Sequence, residues 1–257
     1  MKEKRNDLIK QYILEKEHVT LKELETHFNV SMNTIRRDIT DVLNDPRFEK
    51  VYGGVSTTNN QLISFEHRNI ENKEIKQKIA ETAAQLITDG DIVYIDSGTT
   101  TKYLLDYLEA DITFTLITNS LDVILKAEKL SNVDILILGN MFKKSTRSFV
   151  GTTPEQVTNK YNISKAFMAA TAVSMTNGLM NSDLMEYELK KEVVNKTTET
   201  YLLADATKFE KSTLLTYAPL ESVDKIFTDY IFDETYQDFL TTNQIEAINV
   251  SSKNGGN

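Results

Sequence analysis

The 257-residue chain contains no cysteine. Disulfide bonds, a thiol nucleophile and a cysteine metal site are therefore excluded, and the composition fits a reducing cytoplasm. The three histidines, at positions 18, 27 and 67, lack the spacing of metal ligands, so we expect no metal. The first ten residues are charged and lead into no apolar segment, and no apolar run reaches membrane-spanning length. We expect a soluble, cytoplasmic protein.

The net charge of −9 is unevenly distributed along the chain. The first 56 residues hold ten basic and ten acidic residues, so the remaining 19 basic and 28 acidic residues carry the whole deficit. A nucleic-acid-binding surface in the N-terminal part would therefore depend on where its charges lie and not on an overall basic composition.

The segment from Val30 to Ile39 predicts a helix with a cationic outer face. Ser31 is a suitable N-cap for a helix beginning at Met32. Four apolar residues at helical spacing would face a core: Ile35, Ile39, Val42 and Leu43. The opposite stripe consists of Asn33, Arg36, Arg37 and Thr40. Guanidinium and carboxamide groups bond to base edges and phosphates, although a solvated helix face is the alternative interpretation of this stripe taken alone.

Two further helices are predicted before this one. Residues 3–17 have an amphipathic pattern, and Thr20 with Glu23 forms a capping-box pattern that opens a short second helix. Short helices joined by a tight turn, the last of them carrying the polar stripe, are typical of a helix-turn-helix.

A wing is predicted after the third helix. Residues 47–52 and 55–57 read as two short strands around a turn at Gly53 and Gly54. Lys50 would lie near the tip of this hairpin, where a cation can meet the phosphate backbone.

Two motifs carry a family resemblance: VSMNTIRRDI at 30–39 and KVYGGV at 50–55. Together they resemble the winged helix-turn-helix of the DeoR family of bacterial transcription regulators. The resemblance implies a set of DNA-binding residues: Ser31, Asn33, Thr34, Arg36, Arg37 and Lys50. Pro46, Lys50 and Tyr52 depart from the residues usual in the family, which leaves the operator sequence open.

The rest of the chain predicts a second domain. A polar, aperiodic stretch around residues 56–64 marks a linker, and we place the domains at 1–58 and 75–257 with a linker at 59–74. From residue 65 a helical pattern runs to 87, and apolar strands then alternate with helices. This alternation predicts an α/β domain with a largely parallel sheet. We expect the apolar run 166–173 to be one buried strand.

Polar groups follow several predicted strands, where ligands of such sheets bind. They lie at residues 96–101, 118–120 and 204–209. A glycine, free amides and threonine hydroxyls at a helix start could hold a phosphate at the first junction, although a capped helix without a ligand has the same pattern. Neither a dinucleotide fingerprint nor a Walker A lysine is present, so we expect no cofactor.

These junctions resemble the sugar-phosphate-binding domain of the same family, itself similar in fold to ribose-5-phosphate isomerase. The resemblance implies that the first junction holds the phosphate and sugar hydroxyls, through Asp96, Ser97, Gly98, Thr99, Thr100 and Thr101. It implies four further pocket residues: Asn119, Glu186, Asp205 and Lys208. Lys76 and Gly151 also fall on family positions, whereas Asn140, Ala170 and Ala172 stand where glycine is common.

These observations predict a DNA-binding transcriptional regulator and not an enzyme. We expect a repressor of a carbohydrate-utilisation operon, relieved or modulated by a phosphorylated sugar. The resemblance implies a homo-oligomer, and one recognition helix covers only a half-site. A sugar-phosphate isomerase is the alternative, because Asp96, Glu186, Asp205 and Lys208 are competent acid–base groups. A binding module that represses constitutively is a third possibility.

Overall fold

The computed structural model describes residues 2–16, 18–45, 47–51, 54–57, 65–151 and 160–251. The chain forms two compact units, Met1–Ser64 and Phe65–Asn257. In the described part of the chain, no helix is long and apolar enough to cross a membrane.

The first unit contains three helices and a small sheet. The helices are α1 (Lys2–Lys16), α2 (Leu21–Phe28) and α3 (Met32–Val42). The strands are β1 (His18–Thr20), β2 (Phe48–Val51) and β3 (Gly54–Thr57), and they pair antiparallel in the order β1-β3-β2. Both hydrogen bonds of the Thr20–Glu23 capping box are formed. The core consists mainly of the inward residues of the three helices, among them Ile9, Ile13, Leu24, Ile35, Ile39 and Val42.

Strand β1 was not predicted from the sequence, and it explains Gly54. This glycine was expected in the wing turn, but it lies in β3 opposite Thr20. A Cβ atom at Gly54 would lie 2.2 Å from the carbonyl oxygen of Val19. Only glycine therefore lets the wing strand approach β1. Tyr52 and Gly53 lie outside the described residues.

The second unit is built on a seven-stranded sheet in which all strands are parallel. Its strands are β4 (Ile92–Ile95), β5 (Phe114–Thr118), β6 (Val133–Ile137), β9 (Lys165–Met168), β12 (Glu199–Leu203), β14 (Lys225–Thr228) and β15 (Glu246–Asn249). Their order is β15-β14-β12-β9-β4-β5-β6. The prediction of a largely parallel sheet is confirmed.

Smaller elements complete this unit. Strands β7 (Met141–Lys143) and β8 (Ser148–Val150) form a hairpin, while β10 (Ala172–Ser174), β11 (Gly178–Asn181) and β13 (Leu215–Ala218) form an antiparallel sheet. The described helices are α4 (Phe65–Ile70), α5 (Lys73–Ala84), α6 (Leu121–Ala127), α7 (Leu184–Lys196) and α8 (Glu234–Thr242). Short 3₁₀ helices lie at Thr101–Tyr107, Ala206–Lys208 and Leu220–Ser222.

Both faces of the large sheet are covered. Along β4, Val93 and Ile95 pack into one apolar cluster with α5, α6 and the first 3₁₀ helix, and Tyr94 packs into a second cluster with α7, α8 and the small sheet. This alternation is the period of two that a strand imposes on its side chains. The sheet therefore has buried faces on both sides, and its carboxyl edge is where polar side chains can gather.

Two segments differ from their sequence-based predictions. The helical pattern at 65–87 is broken into α4 and α5, because Asn72 adopts a left-handed conformation with φ of 53°. Residues 65–74, assigned to the linker from the sequence, thus contain α4 and the first residues of α5. The run 166–173 is also not one strand: β9 ends at Met168, and β10 belongs to the small sheet.

Candidate DNA interface and effector site

The outer face of α3 is polar and exposed, as the helical spacing predicted. Asn33, Arg36 and Arg37 are exposed, and so are Ser31 at its N-terminus and Lys50 on the wing strand β2. Thr34 is half-buried. The Ser31 hydroxyl accepts a hydrogen bond from the amide of Thr34 at 3.3 Å and lies 2.9 Å from the Thr34 hydroxyl. These two hydroxyls therefore contribute to capping the helix.

Asp38 of the same motif points inward instead. Its carboxylate is fully buried and accepts two hydrogen bonds from the Arg5 guanidinium, at 2.7 and 3.1 Å. This bond to Asp38 raises the pKa of Arg5. A two-pronged contact of this kind fixes α1 against α3 and leaves Arg36 and Arg37 as the outward cations of the helix.

In the second unit, loops that follow three neighbouring strands of the parallel sheet surround a small cavity. Ser97–Thr100 follow β4, Ala169–Thr171 follow β9, and Ala204 with Lys208 follows β12. Glu186 and Lys190 reach the cavity from α7, and Phe65 and Arg68 reach it from α4. The remaining lining residues are Thr146, Asn181 and Leu203.

Asp96 lies beneath this cavity and not on its surface. One carboxylate oxygen accepts the amide of Ser97 at 2.9 Å, and the other accepts the amide of Ala169 at 3.0 Å and the ammonium group of Lys190. The side chain is completely buried. Asp96 therefore ties the loop after β4 to the loop after β9 and to α7.

The loop after Asp96 is held by its own side chains. The Thr101 hydroxyl donates to the carbonyl of Asp96 at 2.6 Å and accepts the amide of Gly98 at 3.0 Å. The amides of Ser97 and Gly98 are thus already engaged within the loop, contrary to the expectation of free amides there. A Cβ atom at Gly98 would lie 2.3 Å from Cβ of Ala169, so this close approach requires glycine.

Asn119 also supports the cavity from behind its lining residues. Its carbonyl oxygen accepts the Tyr94 hydroxyl at 3.0 Å, and its amide group donates to the Ser97 hydroxyl at 3.4 Å and to the Phe149 carbonyl at 3.3 Å. Asn119 is 1% exposed and does not line the cavity. It orients Ser97, which does line it.

Glu186 lines the cavity from α7, whose N-terminus is capped by Asp183. The Glu186 carboxylate accepts the Ser148 hydroxyl at 2.7 Å and the Asn181 amide at 3.2 Å. Burial by itself would raise the pKa of Glu186, but the charge of Lys190 and these hydrogen bonds outweigh it and lower the pKa. Glu186 is therefore an anion that already has partners.

Lys208 and Asp205 form the third side of the site. Asp205 accepts the amide of Thr207 at 3.1 Å and is 1% exposed, and it lies behind Lys208. Burial lowers the pKa of Lys208 to about 8, against the opposing effect of the Asp205 charge. Lys208 therefore carries a charge at neutral pH that the protein only partly compensates.

Comparison with known protein families assigns a domain to each of the two parts of the chain. Residues 5–61 match the DeoR-like helix-turn-helix domain, and residues 71–230 match the DeoR C terminal sensor domain. The chain belongs to the DeoR family of transcriptional regulators. The prediction of a DNA-binding regulator with a winged helix-turn-helix is confirmed.

Three relatives of this DeoR-family chain span nearly its whole length. The HTH-type transcriptional regulator IolR of Bacillus subtilis is 48% identical over 95% of this chain and 98% of its own. The L-fucose operon activator of Haemophilus influenzae is 27% identical over 95% and 98%. The lactose phosphotransferase system repressor of Staphylococcus aureus is 29% identical over 93% and 97%.

A solved structure also matches. Ribose 5-phosphate isomerase A from Methanocaldococcus jannaschii superposes with a TM-score of 0.40 and 20% identity, over 54% of this chain and 55% of that one. The family assignment does not rest on this superposition.

The DeoR-type sensor unit brings together six of the ten residues assigned to the effector site from the sequence: Ser97, Gly98, Thr99, Thr100, Glu186 and Lys208. The other four support the site without lining the cavity: Asp96, Thr101, Asn119 and Asp205. Of the positions where glycine is common in the family, Ala170 lines the cavity. Asn140 does not line it, and its side-chain oxygen lies 2.5 Å from the point that a Cβ atom on Gly151 would occupy.

Sequence reasoning missed two cations of the cavity, Lys190 and Arg68. Lys190 donates to the Ala169 carbonyl at 2.9 Å in addition to Asp96, and its ammonium lies 5.3 Å from the Tyr217 ring centre. A usable signal existed for Lys190, because it follows Glu186 by four residues and so shares its helix face. No comparable signal marks Arg68, which lies in a segment assigned to the linker.

Among the described residues, those that line the cavity carry a positive excess. Three of them are cations, Arg68, Lys190 and Lys208, and one is a carboxylate, Glu186, while the buried Asp96 pairs with Lys190. The described residues contain no group of acidic or histidine side chains that could hold a metal. Hydroxyl groups and cations at the carboxyl edge of a parallel sheet can bind a phosphate group.

Proposed function

We propose that this protein represses a carbohydrate-utilisation operon in the cytoplasm and that a phosphorylated sugar, bound in the sensor cavity, changes its affinity for the operator. Arg36 and Arg37 on α3 and Lys50 on the wing would contact the operator. Repression is the sign we propose because one relative is named as a repressor. Another relative is named as an activator, so the sign must be measured.

The observation that carries the effector class is the positive excess at the cavity. Lys208 lies at the cavity wall with a pKa lowered by burial to about 8, which means that its ammonium gains from an added anion. The hydroxyls of Ser97, Thr99 and Thr100 line the same cavity from the loop after β4 and suit sugar or phosphate oxygens. A phosphorylated sugar combines both kinds of partner in one molecule.

We further propose that the protein binds its operator as a homo-oligomer. One α3 presents a single cationic stripe, and a single recognition helix reads only a half-site. Two copies would read two half-sites about one helical turn of DNA, or a multiple of it, apart. Light scattering of the purified protein, alone and with operator DNA, measures the number of copies.

Thermal-shift screening tests the effector class. Purified protein is melted with a panel of pentose and hexose monophosphates, each beside its unphosphorylated parent sugar. A ligand that binds the folded state raises the melting temperature, by about 2.7 kcal/mol of stabilisation at a hundredfold excess over Kd. We expect at least one phosphate, and not its parent sugar, to raise it. A panel without any hit, or parent sugars that bind as well as phosphates, would contradict the proposal.

Gel-shift titration then tests the regulation. The compound that stabilises the protein should displace it from an operator fragment at concentrations near its Kd, because an effector acts through its different affinity for the two states. An assay for aldose–ketose interconversion of the same compound addresses the isomerase alternative. The Asp96 carboxylate is bound by the amides of Ser97 and Ala169 and by the Lys190 ammonium, which disfavours Asp96 as a catalytic base.

A further inference from the structure

The cavity is too small for the ligand class that its lining suits. Its volume is about 30 Å³, roughly the space of one water molecule. Sites for small organic ligands measure about 300–1,000 Å³. A sugar phosphate can therefore enter only if some lining side chains move.

Helix α4 is a six-residue helix that supplies two lining residues, Phe65 and Arg68. Phe65 is 7% exposed and is the buried apolar residue of α4, whereas Ile70 at its other end is 79% exposed. A six-residue helix has no stability of its own. The position of α4 is therefore set by its contacts with the rest of the sensor unit.

Those contacts are mostly polar and converge on the effector site. The ammonium of Lys76 donates to the carbonyls of Arg68 and Glu71, the latter at 2.7 Å, and lies 3.8 Å from Asp205. The ammonium of Lys102, which follows the loop after β4, donates to the side chain of Asn69. Lys76 thus connects α4 to the loop after β12, and Lys102 connects it to the segment after β4. In our proposal both loops bind the effector.

Arg68 extends from α4 into the cavity. Its guanidinium experiences the charges of Glu186 and Asp205, and it lies 5.8 Å from the ring centre of Phe65. A guanidinium binds phosphate with two parallel hydrogen bonds, so a phosphate dianion competes well with single carboxylates for it. A phosphate in the cavity would draw Arg68 toward itself and shift the helix that carries it.

We propose that Arg68 is an anion-binding residue of this cavity and that α4 is the element that a bound phosphate group repositions. The inference rests on the proposed function, because it requires the cavity to take a phosphate. In the sequence, residues 58–64 separate α4 from the wing strand β3. In chain order, α4 is thus the first described element of the sensor unit after the DNA-binding unit.

The absence of cysteine allows a direct measurement of α4. Ile70→Cys and Ile231→Cys place spin labels at two exposed positions, 79% and 84% exposed, one on α4 and one beyond β14. The probe is inorganic phosphate, with chloride at equal ionic strength as the reference. We expect phosphate to change the distance distribution between the two labels, and chloride to leave it unchanged.

Arg68→Ala and Arg68→Lys are compared with Glu66→Ala, an exposed position on the same helix. Circular dichroism and the melting temperature establish that each variant is folded. Loss of a charge-assisted hydrogen bond predicts that Arg68→Ala weakens phosphate binding by about tenfold or more. We expect a smaller loss of phosphate affinity for Arg68→Lys, which keeps the charge but not the two parallel donors of the guanidinium group. For Glu66→Ala we expect no loss.

The coupling between phosphate binding at Arg68 and the position of α4 is tested at equal occupancy of the site. At phosphate concentrations that saturate each variant equally, the distance change should be present with Arg68 and absent in Arg68→Ala. Unchanged phosphate affinity in Arg68→Ala, or a distance change that persists in it, overturns this inference alone. If the unsubstituted protein binds neither inorganic phosphate nor any sugar phosphate of the panel, the proposed function itself fails.

Discussion

Lys76 and Asp205 form a buried pair in which the ammonium nitrogen lies 3.8 Å from a carboxylate oxygen, beyond hydrogen-bonding distance. Each side chain is 1% exposed. The ammonium instead donates to carbonyls at the end of α4, and the facing oxygen of Asp205 has no hydrogen-bond partner among the described residues. The pair thus joins the strand-end loop after β12 to α4 through one lysine.

Lys76→Met should destabilise the sensor unit. The substitution leaves the Asp205 carboxylate buried without its cation, and breaking a buried pair costs about 3 kcal/mol at the low end of the usual range. Urea unfolding followed by circular dichroism measures this loss. Lys78→Met, at an exposed position of the same helix, is the control and should change stability by less than about 0.5 kcal/mol. Equal unfolding midpoints for the two variants would show that the pair contributes nothing.

Arg36→Ala and Arg37→Ala should each weaken operator binding without unfolding the protein, because both side chains are exposed on α3. An arginine that reads a base contributes about 1–3 kcal/mol and its loss relaxes specificity, whereas one on phosphate mainly lowers the salt slope by about 1. Gel-shift titrations at several salt concentrations on a DNA fragment selected by the protein separate the two roles. Lys129→Ala, exposed in the sensor unit, is the control. Wild-type affinity in both arginine variants would remove α3 from the interface.

The affinity for a sugar phosphate should fall above about pH 8. Lys208 has a pKa of about 8 without ligand, and a bound dianion stabilises its charged form and raises that pKa again. Binding therefore takes up a proton above pH 8, so affinity is constant just below that pH and decreases by up to about tenfold per pH unit above it. Calorimetric titration from about pH 7 to 9.5 measures how steeply the affinity changes with pH. In Lys208→Met the slope should vanish, and a slope that remains would assign the titration to another group.

Gly98→Ala should abolish the effector response. The added methyl group would lie 2.3 Å from Cβ of Ala169 and 2.8 Å from the Thr101 hydroxyl, so the loop after β4 must shift, at a cost of about 1–3 kcal/mol. Gly90→Ala is a matched control, because Gly90 has a φ of 84° and open space around it. That control introduces backbone strain of a similar size, roughly 1–2 kcal/mol, away from the site. The dose curve for operator release should move only in Gly98→Ala.

Local signals in the sequence predicted much of the fold. Ser31 caps α3 where expected, and Arg36 and Arg37 are exposed because the 3.6-residue period turns them away from the core that Ile35 and Ile39 face. The break of the helical pattern at Asn72 was not predicted, and it goes with a long-range contact, because the Asn72 amide group donates to Asp205. Strand β1 was missed because three residues carry too little pattern, and its pairing with β3 depends on Gly54.

By itself, the sequence determined the exposed cationic stripe of α3 and the positions of the loops that surround the cavity, because caps, helical periods and strand ends are set by residues close together in the chain. The tertiary structure decided which side chains face the cavity. Lys190 reaches Asp96 from 94 positions away, and Asn72 reaches Asp205 across 133, at 3.5 Å. Such contacts depend on the order in which the strands assemble, and they turn Asp96 inward while bringing Lys190 and Arg68 to the site. The periodicity of residues along the chain does not indicate that strand order.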